Sequence, residues 1–174
     1  MTDGIFFHNI SGGLFKIGGD AIQEMRSYVQ DYCRKPEAGG VLLGRFVAGT
    51  TDVVVDQVTV PMPDDKRLRR RFYREPRNHQ AVIDLRWNES RHRCNYLGGW
   101  HTHAEPVPSP SRTDTRDWRR ALQRNHFDSE TLYFIIVGVH EIRAWEGDRH
   151  TGEITELAPR YQRGGLGRVV YFNT

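Results

Sequence analysis

The chain has 174 residues, a length that predicts one domain, spanning residues 1–174, able to bury a core without disulfide staples. With 37% hydrophobic and 11% aromatic residues and a mean hydropathy of -0.66, the composition is too apolar for a disordered chain, and no apolar run approaches the roughly 18 residues of a membrane helix. Lysine and arginine, 25 together, barely exceed the 22 acids for a net charge of +3, so a pI of about 9.0 does not by itself call for a nucleic-acid partner.

Residues 4–17 predict two short strands around Gly12-Gly13, with Phe6, Phe7, Leu14 and Phe15 as core faces. From Asp20 to about Cys33, apolar residues at Ile22, Met25, Tyr28, Val29 and Tyr32 keep a helical spacing, and Pro36 ends it. Residues 39–48 and 52–60 read as a hairpin turning at Gly49-Thr50-Thr51. A polar, arginine-rich insertion, Pro61 to Asn78, reads as a loop. A helix is expected over about 78–91, facing inward through Val82, Ile83 and Trp87, then a strand over 95–103 and a loop with Pro106, Pro108 and Pro110. A third helix from Thr113 to Arg124 and strands at 131–139, 140–146 and 152–158 complete the chain. This interleaving predicts an α/β (α+β) fold around one mixed sheet. Cys33 and Cys94 form no C-x-x-C pair and are expected to be small buried residues. The first 20 residues lack a signal-peptide layout, so a cytoplasmic location is expected.

The chemistry concentrates in His101-Thr102-His103, with Ser111 and Asp114 downstream. Side chains two apart on a strand share a face, so the two imidazoles project together, and Asp114 in the first turn of the third helix can return a carboxylate to them. Two imidazoles and a carboxylate make a three-ligand zinc set that leaves a fourth position open for water. Hydrolysis also needs a base near that water and a donor to the developing oxyanion, roles open to Glu37 and Ser111. Read alone, Ser111-x-x-Asp114 is a helix N-cap, and Glu37 alone is a solvated glutamate at a helix end.

The order Glu37, His101-x-His103, seven residues, Ser111, two residues, Asp114 resembles the JAMM signature of the JAB/MPN metalloprotease family. The flanking segments Pro36 to Gly44 and Gly98-Gly99-Trp100 resemble that family too. The resemblance implies a cytidine-deaminase-like mixed sheet flanked by helices. It implies one Zn2+ ion on His101, His103 and Asp114, Glu37 as the acid/base that activates the zinc-bound water, and Ser111 at the oxyanion. The family cleaves peptide or isopeptide bonds after a ubiquitin-like C-terminus. Phe72, Arg74, His79-Gln80, Ile83, Trp87, Ser90 and Trp118 narrow the likeness to bacterial JAB proteins of antiphage operons. In CBASS defence these stand beside a ubiquitin-like E1–E2 fusion that conjugates a cGAS-like nucleotidyltransferase, which the JAB protein releases. The likeness covers residues 30–146. Where the family commonly has proline after the second histidine, this chain has Ala104, which puts the loop's shape in question and leaves the ligands alone.

The resemblance implies that the basic insertion flanks the cleft, so Arg70, Arg71 and Arg74, with Glu105 near the histidines, are expected substrate contacts. Trp100 and Trp118 are expected to pack behind the site, and His79 to be a surface or satisfied histidine. Three of the basic residues are lysines, leaving 22 arginines, a bias that fits either an acidic partner or the source genome's composition. Other readings stay open: another ubiquitin-like operon, a nucleic-acid-associated JAB-fold protein, a non-haem iron site, and a zinc deaminase, which lacks its Pro-Cys-x-x-Cys segment here. Nucleic acid and membrane are not the expected partners. Gly164-Gly165 is internal, with Tyr171-Phe172-Asn173-Thr174 after it, so the chain does not read as a conjugated modifier.

Overall fold

The structure is a computed structural model that describes residues 4–160; Gly164-Gly165 lies outside them. Strands β1 (Ile5–His8) and β2 (Leu14–Ile17) form a hairpin, followed by helix α1 (Gly19–Arg26) and the antiparallel strands β3 (Gly39–Phe46) and β4 (Val53–Val58). The insertion carries a small hairpin, β5 (Lys66–Leu68) and β6 (Arg71–Tyr73), and leads into α2 (Pro76–Glu89). Then come β7 (Asn95–Thr102), α3 (Arg112–Arg124), β8 (Thr131–Val137), β9 (Ile142–Asp148) and β10 (Ile154–Glu156).

All strands but β5 and β6 join one mixed sheet in the order β1-β2-β4-β3-β7-β8-β9-β10. Only β2/β4 and β7/β8 are parallel. Parallel neighbours need a crossover, and α3 supplies the one between β7 and β8. The sheet curls until its ends meet: the His8 N–H donates to the Ala158 carbonyl (2.9 Å) and the Arg160 N–H to the Phe6 carbonyl (2.8 Å).

The uninterrupted apolar run of β8 reflects burial on both faces. Tyr133, Ile135 and Val137 pack with Ile22 and Met25 of α1, while Leu132, Phe134 and Ile136 pack with Trp118 and Leu122 of α3. The Trp118 ring stacks on Phe134 at 4.7 Å between centroids. Trp118 and Leu122, the buried residues of α3, anchor the helix on the sheet, each contributing roughly 1.5–3 kcal/mol of apolar burial.

Three local expectations change. The helix expected to Cys33 ends at Arg26, where the Ser27 hydroxyl donates to the Glu24 carbonyl (2.7 Å) and the chain leaves in single turns. Tyr28 and Val29 still pack on the core, so their spacing recorded burial without helix. The insertion is structured, and α2 begins at Pro76 because Glu75 caps it and proline is favoured at the first helical position. Cys33 is exposed and Cys94 half-buried, unlike the buried pair expected.

The register between β3 and β7 slips by one residue, from Leu42↔Gly98 to Leu43↔Tyr96, leaving Leu97 as a bulge. Gly98 sits there at φ +138°, and a Cβ on it would lie 1.9 Å from the Tyr133 carbonyl oxygen. Gly98→Ala is therefore expected to destabilise the protein by more than about 3 kcal/mol in urea denaturation; a loss below about 1 kcal/mol would show that the bulge can relax.

Candidate functional site

The bulge decides which way the histidines face. Tyr96, before it, packs beside the α3-side cluster, and simple alternation would put Trp100 on that side and His101 on the other. The extra residue inverts the parity, so Trp100 enters the α1-side core and His101 approaches Trp118 at 6.2 Å between centroids. His103 follows on the same face just past β7, its N–H bonded to the Val137 carbonyl at 3.0 Å.

Asp114 reaches the pair from the first turn of α3. Ser111 is the N-cap: its hydroxyl oxygen accepts from the Asp114 N–H (3.2 Å), while Asp114 Oδ2 accepts from the Ser111 N–H (2.7 Å), a reciprocal box that fixes the carboxylate. The N-cap reading of this pair is met, and both residues line the cleft with the two histidines. An accepting hydroxyl keeps its own proton, so Ser111, which lines the cleft, remains a donor.

The two Nε2 atoms lie 3.0 Å apart, and each is 3.4 Å from an oxygen of Asp114. Tetrahedral ligands about 2.0–2.1 Å from a common ion are separated by about 3.3 Å, so these three donors fit one metal ion. Glu105 Oε2 is 3.4 Å from His103 Nδ1, a partner that holds the ring proton on Nδ1 and leaves the Nε2 lone pair facing the centre. Burial opposes the charge on Asp114, yet its bonds and attraction to His101 and His103 outweigh that and hold its carboxyl well below the usual range. Burial likewise holds His101 below its ordinary value, while Asp114 and Glu37 overcome burial to raise His103.

Glu37 arrives from β3. Gly39 pairs with His101, and the ladder continues as the Thr102 N–H donates to the Ala38 carbonyl (2.9 Å) and the Ala38 N–H to the Thr102 hydroxyl (3.0 Å). Glu37 precedes Ala38 by one residue and lines the same cleft as His103, whose charge acts on the Glu37 carboxyl. Its side is closed by the β5–β6 hairpin: the Glu37 N–H donates to the Leu68 carbonyl (2.8 Å), and Arg67 donates to the Glu37 and Pro36 carbonyls (2.9 and 3.3 Å). Only 8% of Glu37 is exposed. Burial, aided by the Asp114 charge, pushes its carboxyl up to about 7 against the pull of His103, Arg71 and the Phe72 N–H.

Two buried residues not singled out in the sequence tie these parts together. Gln30 donates to the carbonyls of Lys35 and Arg69 (both 2.9 Å) and accepts from the Thr102 hydroxyl (3.2 Å). It thus joins the segment before Glu37, the hairpin tip and the residue between the two histidines. Thr102 was legible from strand parity; nothing in the sequence marks Gln30. His79 is satisfied, between the Thr59 hydroxyl (2.6 Å) and Asp65 (3.0 Å).

A cleft of about 760 Å³ opens over the metal set, lined on one side by Arg70, Arg71 and Arg74 and on the other by Glu105 and Ser111. All four expected substrate contacts therefore reach it, although Arg71 is bonded to Asp117 of α3 (2.9 Å) and Glu105 also accepts from the Ser109 N–H (2.9 Å). The loop after Ala104 is pinned at Pro108, which packs on Gly138.

Comparisons with known proteins show the family. Residues 20–148 match the family described as prokaryotic homologs of the JAB domain. The chain belongs to that family. A Pseudomonas aeruginosa protein named CD-NTase/cGAS isopeptidase is 38% identical over 125 residues, 72% of this chain and 77% of the relative. A Vibrio cholerae protein of the same name is 33% identical over 151 residues, 87% and 92% of the two chains. The solution structure of a Desulfitobacterium hafniense protein shares the fold, with a TM-score of 0.57, 21% identity and coverage of 80% of this chain and 87% of that one. Family membership sets the deaminase reading aside. Among the described residues, no helix is long and apolar enough to cross a membrane.

Because Glu37 titrates near 7 when folded and near 4.5 as a free group, the metal-free folded state holds the extra proton between those values, and stability falls as pH rises through that window. Glu37→Gln removes this penalty: urea denaturation of chelated protein should show the variant gaining up to about 3 kcal/mol at pH 8 and little at pH 4. An equal gain at both would place the strain elsewhere. Gln30→Leu strands two carbonyls and a hydroxyl, and should cost about 2–4 kcal/mol and expose the hairpin to limited proteolysis; an unchanged midpoint and digestion pattern would deny Gln30 its linking role.

Proposed function

We propose that the protein is a zinc-dependent isopeptidase of JAMM type that cleaves ubiquitin-like conjugates, releasing a cGAS-like nucleotidyltransferase from its targets in CBASS antiphage defence. The observation that supports the reading is the buried Glu37 lining one cleft with a three-donor set that could hold one metal ion. The relatives named CD-NTase/cGAS isopeptidase support the substrate class. On this reading the chain is one catalytic domain working in the cytoplasm, linked in function to an E1–E2 fusion protein.

His101, His103 and Asp114 would hold the ion, and a zinc ion there supplies Lewis acidity, acidifying water and polarising the scissile carbonyl. Glu37 is placed to take a proton from water and to pass it to the departing amine nitrogen as the C–N bond breaks, leaving a carboxylic acid and a free amine. Its burial matters, because a base that titrates near neutrality can both accept and release that proton. A dication held by the adjacent donor set would favour the Glu37 carboxylate over its protonated form. Ser111 donates its hydroxyl proton to the developing oxyanion. Arg70, Arg71, Arg74 and Glu105 contact the polypeptide lying in the cleft.

The purified protein should hold one zinc by metal analysis, and His101→Ala should lose it. Glu37→Gln should keep the zinc and lose about a thousandfold in kcat on a nucleotidyltransferase conjugate, and chelation should stop the parent until zinc is restored. Undiminished cleavage by Glu37→Gln removes that residue from proton transfer, and iron at full occupancy with active enzyme removes zinc.

A further inference from the structure

We propose that the mouth of the cleft is a docking surface for an acidic protein segment, formed by the hairpin tip Arg69-Arg70 and by the arginines gathered around Asp117. The proposal names the partner face of the site above and so rests on the isopeptidase reading.

The tip is a two-residue turn, since Leu68 pairs with Arg71. Arg69 and Arg70 are exposed and line the cleft, and among the described residues neither has a carboxylate within ion-pair distance. The acids nearby are already engaged. Asp114 faces His101 and His103, and Glu105 faces His103 and the Ser109 N–H. Asp117 meets three arginines at once: Arg71 at 2.9 Å, Arg116 at 3.4 Å and Arg120 at 3.5 Å. One carboxylate cannot neutralise three guanidinium groups, so this side of the mouth keeps a surplus of positive charge. Arg74 adds to it, with only a 3.4 Å bond to the Gly40 carbonyl.

The tip is also held in place. Gln30, 3% exposed, bonds the Arg69 carbonyl at 2.9 Å, so the backbone under these arginines is ordered before any partner arrives. A preordered guanidinium meets a carboxylate with two parallel hydrogen bonds and loses less entropy than one on a free loop. The floor of the cleft separates protein from nucleic acid as occupant. In the metal-free protein a polypeptide can lay a neutral backbone past Glu37 and Asp114 while its acidic side chains reach the arginines at the rim, whereas a phosphate chain would bring its charges against those carboxylates.

The test measures binding separately from catalysis. A fluorescein-labelled decaglutamate peptide is titrated with the metal-free full chain at about 50 and about 300 mM NaCl, read by anisotropy. Binding should weaken at least about fivefold at the higher salt, and Arg69→Ser with Arg70→Ser, or Arg120→Ser alone, should weaken it about fivefold or more at the lower. Arg91→Ser with Arg93→Ser removes the same charge just before β7, at the end of the sheet away from the metal set, and should leave binding unchanged. On the conjugate, the tip variants should raise KM and keep kcat. Rim variants that bind like the Arg91/Arg93 control overturn the proposal, as does a twenty-nucleotide single-stranded DNA held more tightly than the peptide by the same arginines. If no form of the protein, the parent included, cleaves the conjugate while the rim-dependent peptide binding persists, the isopeptidase reading fails and the docking surface stands.

Discussion

The site depends on one pair of residues. Ala38 and Thr102 exchange a backbone bond and a side-chain bond, 2.9 and 3.0 Å, at the point where β3 and β7 leave the sheet. Each is fully buried, and each stands beside working groups: Ala38 next to Glu37, Thr102 between the two histidines. The separation between Glu37 and the two histidines is therefore set by the ends of two paired strands, which hold side chains more precisely than a loop does. The Thr102 hydroxyl passes the constraint to Gln30, so that three chain segments share one buried polar network with every member bonded.

That arrangement changes the meaning of the arginine-rich insertion. A basic run between a strand and a helix looks like a solvated loop, and part of it is buried work instead. Arg67 spans two carbonyls of the Glu37 segment, and the hairpin backbone takes the Glu37 N–H. Without that cover Glu37 would face water and return toward an ordinary glutamate, because burial is the first cause of its raised value. The insertion thus makes the environment of Glu37 with its inner face, while its tip stands outside.

Much of the site was legible in the sequence because its parts obey local periodicities. His101 and His103 share a strand face by parity, and Ser111 with Asp114 reads as a capping box that aims its acid at those two histidines. The family likeness joined Glu37 to them, which no local rule could do across more than sixty residues. The fold class was equally readable, since β8 announces itself as a strand buried on both faces. Parity alone, however, does not say which face the histidines take. Leu97 inverts it through a bulge, and the only trace is a glycine pair that could equally mark a turn. The helix expected to Cys33 failed for a related reason: Tyr28 and Val29 are spaced for burial, and the chain satisfies that burial with single turns that release Gln30 into the network. Gln30 itself carries no local signal, because its three partners come from positions 35, 69 and 102.

The near balance of 25 basic and 22 acidic residues hides a division by depth. The floor of the cleft is acidic, through Glu37 and Asp114, with Glu105 exposed at its edge. Arg69 and Arg70 are exposed at the rim, where water screens them, and Arg71 and Arg74 are half-buried behind them. Their positive field reaches Glu37 as well, since Arg71 lowers its carboxyl against the push of burial. Arg71 in turn is drawn toward α3 by Asp117. The ion pair spanning the cleft therefore ties α3 to the hairpin and fixes how much positive charge Glu37 feels, so a group that drew Arg71 away from Asp117 would change the environment of Glu37 without touching it.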